Sequence, residues 1–342
     1  MEVFARHRLK IKLIFDLLTE RKIYNIIADV LYFQEYFITF QGGKLMKSEK
    51  KEKRRRGDRK DAYLVRDVDS MHYCMPLMMG GRTENEAVLN ETIDLTAIEK
   101  LLAEKNVEGI DFKYTFFHVI VAAIAKVILL RPKLNYFYSG NKLWERKDIT
   151  LTFVIKKQFV DNSTEDLAII TCPKEGVSPL EFIHDEVKKN VQHVRQENQN
   201  NNTGDIMDIF KKMPRFVAKA VFDILKWLER RGWYPKSIME ADPYYASCFI
   251  TNLGSIKMHA QYHHLSEWGT NSLFLIIGEK KPMPFYSADG SVRVADGLEL
   301  GVTVDERIAD GLYFAKSIRI VRHLLEHPEL LELPIETPVE LD

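Results

Sequence analysis

The stretch YTFFHVIVAAIAKVILLRP, residues 114–132, limits the folds open to this chain more than any other. Its side chains are apolar on almost every side of a helix, and Pro132 stops it. A surface helix buries one stripe, whereas a helix apolar all round has to be enclosed by other layers. A chain of 342 residues, 46% hydrophobic and 29% charged, can supply those layers as one large domain or two ordinary ones. No run of about 18 apolar residues exists, so no membrane-spanning helix is predicted. Residues 23–40 come nearest, and Asp29 and Glu35 interrupt them. Nor is a signal peptide predicted, because Arg6, Arg8, Lys10 and Lys12 lead into no clean apolar core with a small-residue cleavage site.

The elements around this helix alternate without a regular strand–helix rhythm. NETIDLTAIEKLLAEKN joins a strand to a helix with Thr96 and Glu99 as a capping box. DITLTFVIKK alternates Ile149, Leu151, Phe153 and Ile155 as a strand does, and LAIITC is a shorter strand. Ser178, Pro179 and Glu181 then open a helix as cap, first residue and box partner. The last third reads as three or four strands with Gly and Asp-Gly turns, then a closing helix. This mixture predicts an α+β fold with helices layered on a largely antiparallel or mixed sheet.

Four further segments frame that domain. Residues 1–45 read as one or two apolar helices, either part of the native protein or upstream of a start at Met46. Residues 46–74 form a charged linker, densest in MKSEKKEKRRRGDRKD, where no aromatic side chain is interleaved to stack on bases. A helical insertion near 204–240 contains MPRFVAKAVFDILKWLERRGWYP, an amphipathic helix with a wide apolar face. Packing within the domain is its favoured reading, with a lid over a substrate tunnel or a membrane-surface contact as sharper ones. The domain itself spans 75–335, with 336–342 as a tail.

Lys plus Arg equals Asp plus Glu at 49 each, which gives no global electrostatic case for nucleic acid. Cys74, Cys172 and Cys248 lie far apart, which fits a reducing cytoplasm and no metal or disulfide framework. No phosphate-cradling GxxxxGK[ST], dinucleotide GxGxxG, HExxH, CxxC or GxSxG nucleophile elbow occurs. One dense region remains, GVTVDERIADG. Leu298, Leu300, Val302 and Val304 share one face of a strand that delivers Asp305, Glu306 and Arg307 to its end. Asp310 before an apolar helical run reads first as an N-cap.

The strand, the acidic D-x-R-x-x-D-G and the closing LLEHPELL helix resemble the C-terminus of the dihydrolipoamide acyltransferases. These are the catalytic domains of 2-oxo acid dehydrogenase complexes, similar in fold to chloramphenicol acetyltransferase. FITNLGSI resembles their S-N-L-G strand, NSLFLIIGE their E-V-A-I-L-G strand, and RPKLNYFYSGNKLWERKDITLTFVI their P-x-L-N segment. The resemblance covers roughly residues 75–333 in order. It implies a two-layer α+β acyltransferase fold, a homotrimer with sites between subunits, coenzyme A or acyl-CoA as substrate and a small-molecule acyl acceptor. It also implies a histidine general base in D-H-R-x-x-D-G, a Ser or Thr hydroxyl for the oxyanion, and an aspartate that pairs with an arginine. On this chain the hydroxyl falls on Thr251, beside Asn252, and the aspartate on Asp310, beside Gly311. Arg82 is the candidate partner for Asp310.

The histidine position holds Glu306. A free glutamate titrates near 4.3 against about 6.5 for histidine, so it is the weaker base unless burial raises it. Arg307 or Arg82 close by would oppose that. Three readings stay open: Glu306 as an unusual base, another group such as His263 or His264 in its place, or a non-catalytic homologue acting as an acyl-CoA-binding or assembly module. No lipoyl attachment hairpin is visible in the chain, and no metal, nucleic acid or membrane contact is expected.

Overall fold

The computed structural model describes residue 55 and residues 57–156, 165–196, 211–287 and 289–341. The chain divides into Met1–Arg55 and a compact unit, Arg56–Asp342, which contains every element below. The apolar helices expected over 1–45 lie outside the described residues.

In chain order the strands are β1 (Ala62–Leu64), β2 (Glu86–Asp94), β3 (Tyr136–Ser139), β4 (Lys142–Arg146), β5 (Ile149–Lys156), β6 (Glu165–Cys172), β7 (Cys248–Asn252), β8 (Leu273–Ile277), β9 (Lys281–Tyr286) and β10 (Val292–Asp305). The helices are α1 (Ser70–Met78), α2 (Thr96–Lys105), α3 (Phe116–Leu130), α4 (Pro179–Gln196), α5 (Arg215–Arg230), α6 (Lys236–Ala241) and α7 (Gly311–Glu326). The main sheet runs β2-β10-β8-β7-β5-β6, with β9 pairing the first half of β10. Among the described residues only β7 runs parallel to its neighbours, so the sheet is mixed, as the irregular strand–helix order predicts.

The apolar helix is where the sequence requires it, buried as α3. Ile120, Val121 and Val127 join Ile98 of α2, Leu180 and Ile183 of α4, and Phe314 and Leu324 of α7 in one core. That core sits on the face of the sheet formed by Leu151, Ile250, Leu275, Leu300 and Val304. The second face carries a smaller cluster, Phe249, Phe274 and Ile276, covered by Leu265 and Tyr244. This is the two-layer α+β arrangement. The lysine inside α3 has a structural use: buried Lys126 donates to the carbonyls of Leu330 and Pro334 and ties down the C-terminal segment.

Several local expectations change. Thr96 is the first residue of α2 rather than its cap, and Asp94 accepts both its N–H and its hydroxyl. Ser178 Oγ accepts from Glu181 N–H, but the Glu181 carboxylate turns to Lys105 and Tyr114 instead of closing a box. The linker expected over 46–74 is already folded from residue 57 onward. Asp58 and Arg59 are buried, and β1 pairs with β4 in a second sheet, β1-β4-β3. Arg59 is held by Asp61 at 3.0 Å and Glu229 at 2.9 Å and lies against Phe137 and Trp144. A basic run can therefore end inside a core when its last arginine finds buried carboxylates and aromatic faces. Strand β9 was not anticipated, because Pro282 and Pro284 count against a strand; they are tolerated on its outer edge.

The true capping box is at α3, where Thr115 pairs with His118. His118 Nδ1 accepts from Thr115 N–H at 2.9 Å, which leaves the proton on Nε2, a buried atom with no partner among the described residues. Burial, with His184 adjacent, pushes His118 down to about 3. The unfolded chain takes up that proton near 6.5, so between those values the unfolded state binds more protons and stability rises with pH. This group alone is expected to remove about 2 kcal/mol on going from pH 7 to pH 5. His118→Gln, which preserves a box partner without titrating, is expected to flatten the dependence of the urea midpoint on pH. A midpoint equally pH-dependent in the variant would contradict this role.

Candidate functional site

Strand β10 ends in a tight arrangement. Asp305 caps a short 3-10 turn, Glu306–Ile308, and its carboxylate accepts from the backbone N–H of Arg307. The same carboxylate takes a two-pronged bond from the Arg307 guanidinium, Nε to Oδ1 at 2.8 Å and an Nη to Oδ2 at 2.7 Å. Both side chains are buried, at 0% and 2% exposure. Arg307 also donates to the carbonyls of Met79 and Gly80 after α1, and lies 5.2 Å from the Tyr138 ring centre. Glu306, between these two residues, is exposed. The guanidinium expected to face Glu306 is thus taken up by Asp305. The turn at residues 306–308 folds Arg307 back onto the capping carboxylate of Asp305 and leaves Glu306 outside.

Arg82 and Asp310 do not pair. Buried Arg82 donates to the carbonyls of Tyr138 and Ser266 and leaves Nε without a partner among the described residues. Desolvation pushes its guanidinium below the usual arginine value, although Asp305 and Glu229 partly offset this. Asp310 is a helix cap, accepting from Tyr313 N–H at 2.8 Å at the surface. That bond holds its carboxyl below the ordinary aspartate value. Gly311 opens α7 at the surface, with open space where a Cβ would project.

The reserve histidines come close to this end of the sheet. A Cβ on Gly301 would meet Gln261 O at 2.2 Å, so only glycine lets residues 261 and 262 press onto β10 there. The segment then reaches Glu86, opposite Asp305 in the β2–β10 register, where the carboxylate accepts from Leu265 N–H. Between these two points lie His263, stacked on Phe274 at 4.3 Å, and His264. Both imidazoles are exposed and contact carbonyls, His263 that of His264 and His264 that of Leu265.

Thr251 and Asn252 are elsewhere. Thr251 pairs with Ile276, which pairs with Gly301, so Thr251 is level with Gly301 and not with Glu306. Five residues of strand separate those levels, about 17 Å along the sheet, besides two strand spacings across it. Asn252 Oδ1 is buried without a partner among the described residues. One chain therefore brings Glu306, the Asp305–Arg307 pair, Glu86 and the histidine segment to one end of the sheet, and Thr251 and Asn252 to the other. No group of three or more His, Cys, Asp or Glu suited to a metal ion occurs among the described residues. The Asp305–Arg307 fork and the Met79 and Gly80 carbonyls were not foreseen; only the D-x-R spacing hinted at the first.

This mixed six-strand path with β9 on its edge, helices on one face and an acidic-capped closing helix, defines a chloramphenicol acetyltransferase-like, CoA-dependent acyltransferase fold. Residues 236–333 match the family described as 2-oxoacid dehydrogenases acyltransferase (catalytic domain), so the resemblance read from the motifs is shown for that stretch. The fold is shared with a dihydrolipoamide acetyltransferase from Azotobacter vinelandii, at 14% identity over 79% of this chain and 94% of that one, TM-score 0.51. That structure concerns the catalytic roles of a serine, a histidine and an asparagine. It is shared equally with the cubic core of a pyruvate dehydrogenase multienzyme complex, at 13% identity over 79% and 94%, TM-score 0.50. A probable dihydrolipoamide acetyltransferase from Listeria monocytogenes 4b F2365 is 16% identical over 76% of this chain and 93% of that one, TM-score 0.49. No curated protein matches the chain in sequence.

Proposed function

We propose that this protein is a CoA-linked acyltransferase whose reaction centre forms between neighbouring copies of a trimer, with Glu306 from one copy and Thr251 from the next. The observation that carries this reading is Glu306 itself, set at the tip of β10 by the buried Asp305–Arg307 fork, in the position of the family's histidine. In the catalytic step the carboxylate takes a proton from the attacking thiol or hydroxyl, whose sulfur or oxygen adds to the acyl carbonyl. The tetrahedral oxyanion accepts a hydrogen bond from the Thr251 hydroxyl. Collapse breaks the bond to the leaving thiolate, which recovers the proton from Glu306.

Two features of the single chain support a centre between copies. Glu306 is exposed, and a carboxylate becomes a useful base when desolvated, which a second copy and bound substrate would supply. Thr251 lies about 17 Å along the sheet from Glu306, beyond the reach of one reacting acyl group. Asp310 serves the start of α7 as its cap, and Arg82 joins the small sheet to the histidine segment. The donor is coenzyme A or acyl-CoA, the acceptor a small molecule and the setting the cytoplasm; no lipoyl group is attached to this chain in this reading. The second reading is a non-catalytic acyl-CoA-binding or assembly module, and the missing imidazole favours it.

Calorimetry with CoA and acetyl-CoA, beside acyl-CoA turnover of the wild type and Glu306→Ala, separates these readings. Binding by both proteins, with turnover lost at least a hundredfold in Glu306→Ala, is expected from removal of a general base. Turnover unchanged in the variant removes Glu306 as the base and turns attention to His263 and His264. Binding without any turnover supports the module. Absence of binding sinks the acyltransferase and leaves only an assembly role.

A further inference from the structure

Helix α5 has an apolar face that the domain does not use. Val221, Leu225 and Leu228 pack with Tyr234, Tyr245 and Trp268. At 100° per residue, Phe216, Ala220, Ile224 and Trp227 fall on a separate strip of the helix. Phe216 is 70% exposed, Ile224 49% and Trp227 48%, and Trp233 just past the helix is 60% exposed. The Trp227 and Trp233 rings meet edge-on at 5.8 Å, with the Arg231 guanidinium 4.5 Å from the first and 5.7 Å from the second. Single exposed apolar residues are ordinary; a continuous strip holding two indoles is a contact surface.

Charge says what kind of contact. On the side of the strip away from the packed face runs a row of Arg215, Lys219, Lys226 and Arg230, broken only by Asp223, which pairs with Lys219. Residues 211–231 hold seven cations and two acids, although the whole chain balances at 49 of each. The second acid, Glu229, is turned inward to Arg59 and Ser139 and does not offset the row. Indoles beside a lysine and arginine row are the pattern of a helix lying in a bilayer interface, with rings at headgroup depth and cations reaching lipid phosphates. No helix among the described residues is long and apolar enough to cross a membrane, which restricts the contact to the surface.

We propose that α5 and Trp233 form a docking surface for an anionic lipid bilayer, with Phe216, Ile224, Trp227 and Trp233 entering the interface and Arg215, Lys219, Lys226 and Arg230 binding the headgroups. This revises the expectation of no membrane contact and is independent of the acyl-transfer reading.

The full chain suits the test, because no tryptophan precedes Trp144 and the basic N-terminal segments are silent in tryptophan fluorescence. Flotation is run with phosphatidylcholine vesicles alone and with about 30% phosphatidylglycerol, some carrying brominated acyl chains. Anionic vesicles are expected to bind at least tenfold more tightly than neutral ones, with a blue shift and bromolipid quenching, and to release protein in about 0.5 M salt. Phe216→Ser/Trp227→Ser and, separately, Lys219→Glu/Lys226→Glu are each expected to weaken binding at least tenfold. Phe216, Lys219 and Lys226 are exposed and Trp227 half so, and each variant should keep a single cooperative melt lowered by no more than a few degrees. Absence of binding overturns the proposal. So does binding that survives the first double variant, or that quenches no tryptophan, since another segment then makes the contact. A solution mass that falls in the first variant, without vesicle binding, assigns the strip to a second copy and equally overturns it.

Discussion

Asp305→Ala is expected to destabilise the folded unit by about 3–5 kcal/mol, the usual cost of leaving one member of a buried ion pair without its partner. For a domain of this size that lowers Tm by roughly 10 °C. The cost is large because Arg307 cannot retreat to water: its guanidinium is fixed on the Met79 and Gly80 carbonyls and against Tyr138. Those two carbonyls cannot neutralise it. Arg307→Met should cost a similar amount, stranding Asp305, whereas Asp305→Ala/Arg307→Met should cost clearly less than the sum, since the pair interacts directly. Asp310→Ala is the control: losing an exposed cap should cost clearly less than losing either member of the buried pair. Urea unfolding of the four proteins measures all of this. A loss below about 1 kcal/mol for Asp305→Ala, or simple additivity in the double variant, would show that the fork does not hold the tip of β10.

The features legible in the sequence were those with long-range periodicity. An enclosed α3, the alternation of β5 and the even-numbered apolar face of β10 follow from side-chain spacing alone, because burial selects for it over many residues. The family motif then identified the end of β10 as the place to look. Features set by one or two contacts were not legible. The capping box expected of Thr96 and Glu99 did not form because Asp94, two residues earlier, accepts from the Thr96 N–H and hydroxyl. Arg59 sits in a run that reads as solvated, and its burial depends on Glu229 and Ser139, 170 and 80 residues away. The Arg82–Asp310 pairing failed for the converse reason: a motif position carries over, but the partner depends on packing. Ser266 and Tyr138 carbonyls met Arg82 first, and Asp310 had a local donor at Tyr313. At the candidate site the strand pattern stopped at Asp305, and the 3-10 turn that folds Arg307 onto it has no period to read.

The separation of Glu306 and Thr251 makes a second prediction with a larger effect. If acyl transfer uses Glu306 of one copy and Thr251 of the next, Glu306→Ala and Thr251→Ala are each expected to be nearly inactive as pure proteins, down about a hundredfold or more. Refolding or co-expressing them together should restore activity, because some interfaces then receive an intact glutamate from one chain and an intact threonine from its neighbour. Random mixing of equal amounts gives about a quarter of all interfaces both groups. Activity should therefore recover to about a quarter of wild type from two proteins that lack it. A centre within one chain gives no recovery, since every chain carries one defect. The register already argues against that centre: Thr251 aligns through Ile276 with Gly301, five residues short of Glu306. Turnover that stays at the level of the separate variants, in a mixture shown by mass to contain mixed trimers, would place both groups outside a shared site. Recovery well above a quarter would mean that one substitution is not limiting, and Thr251, whose hydroxyl water can replace at a wet interface, would be the first to re-examine.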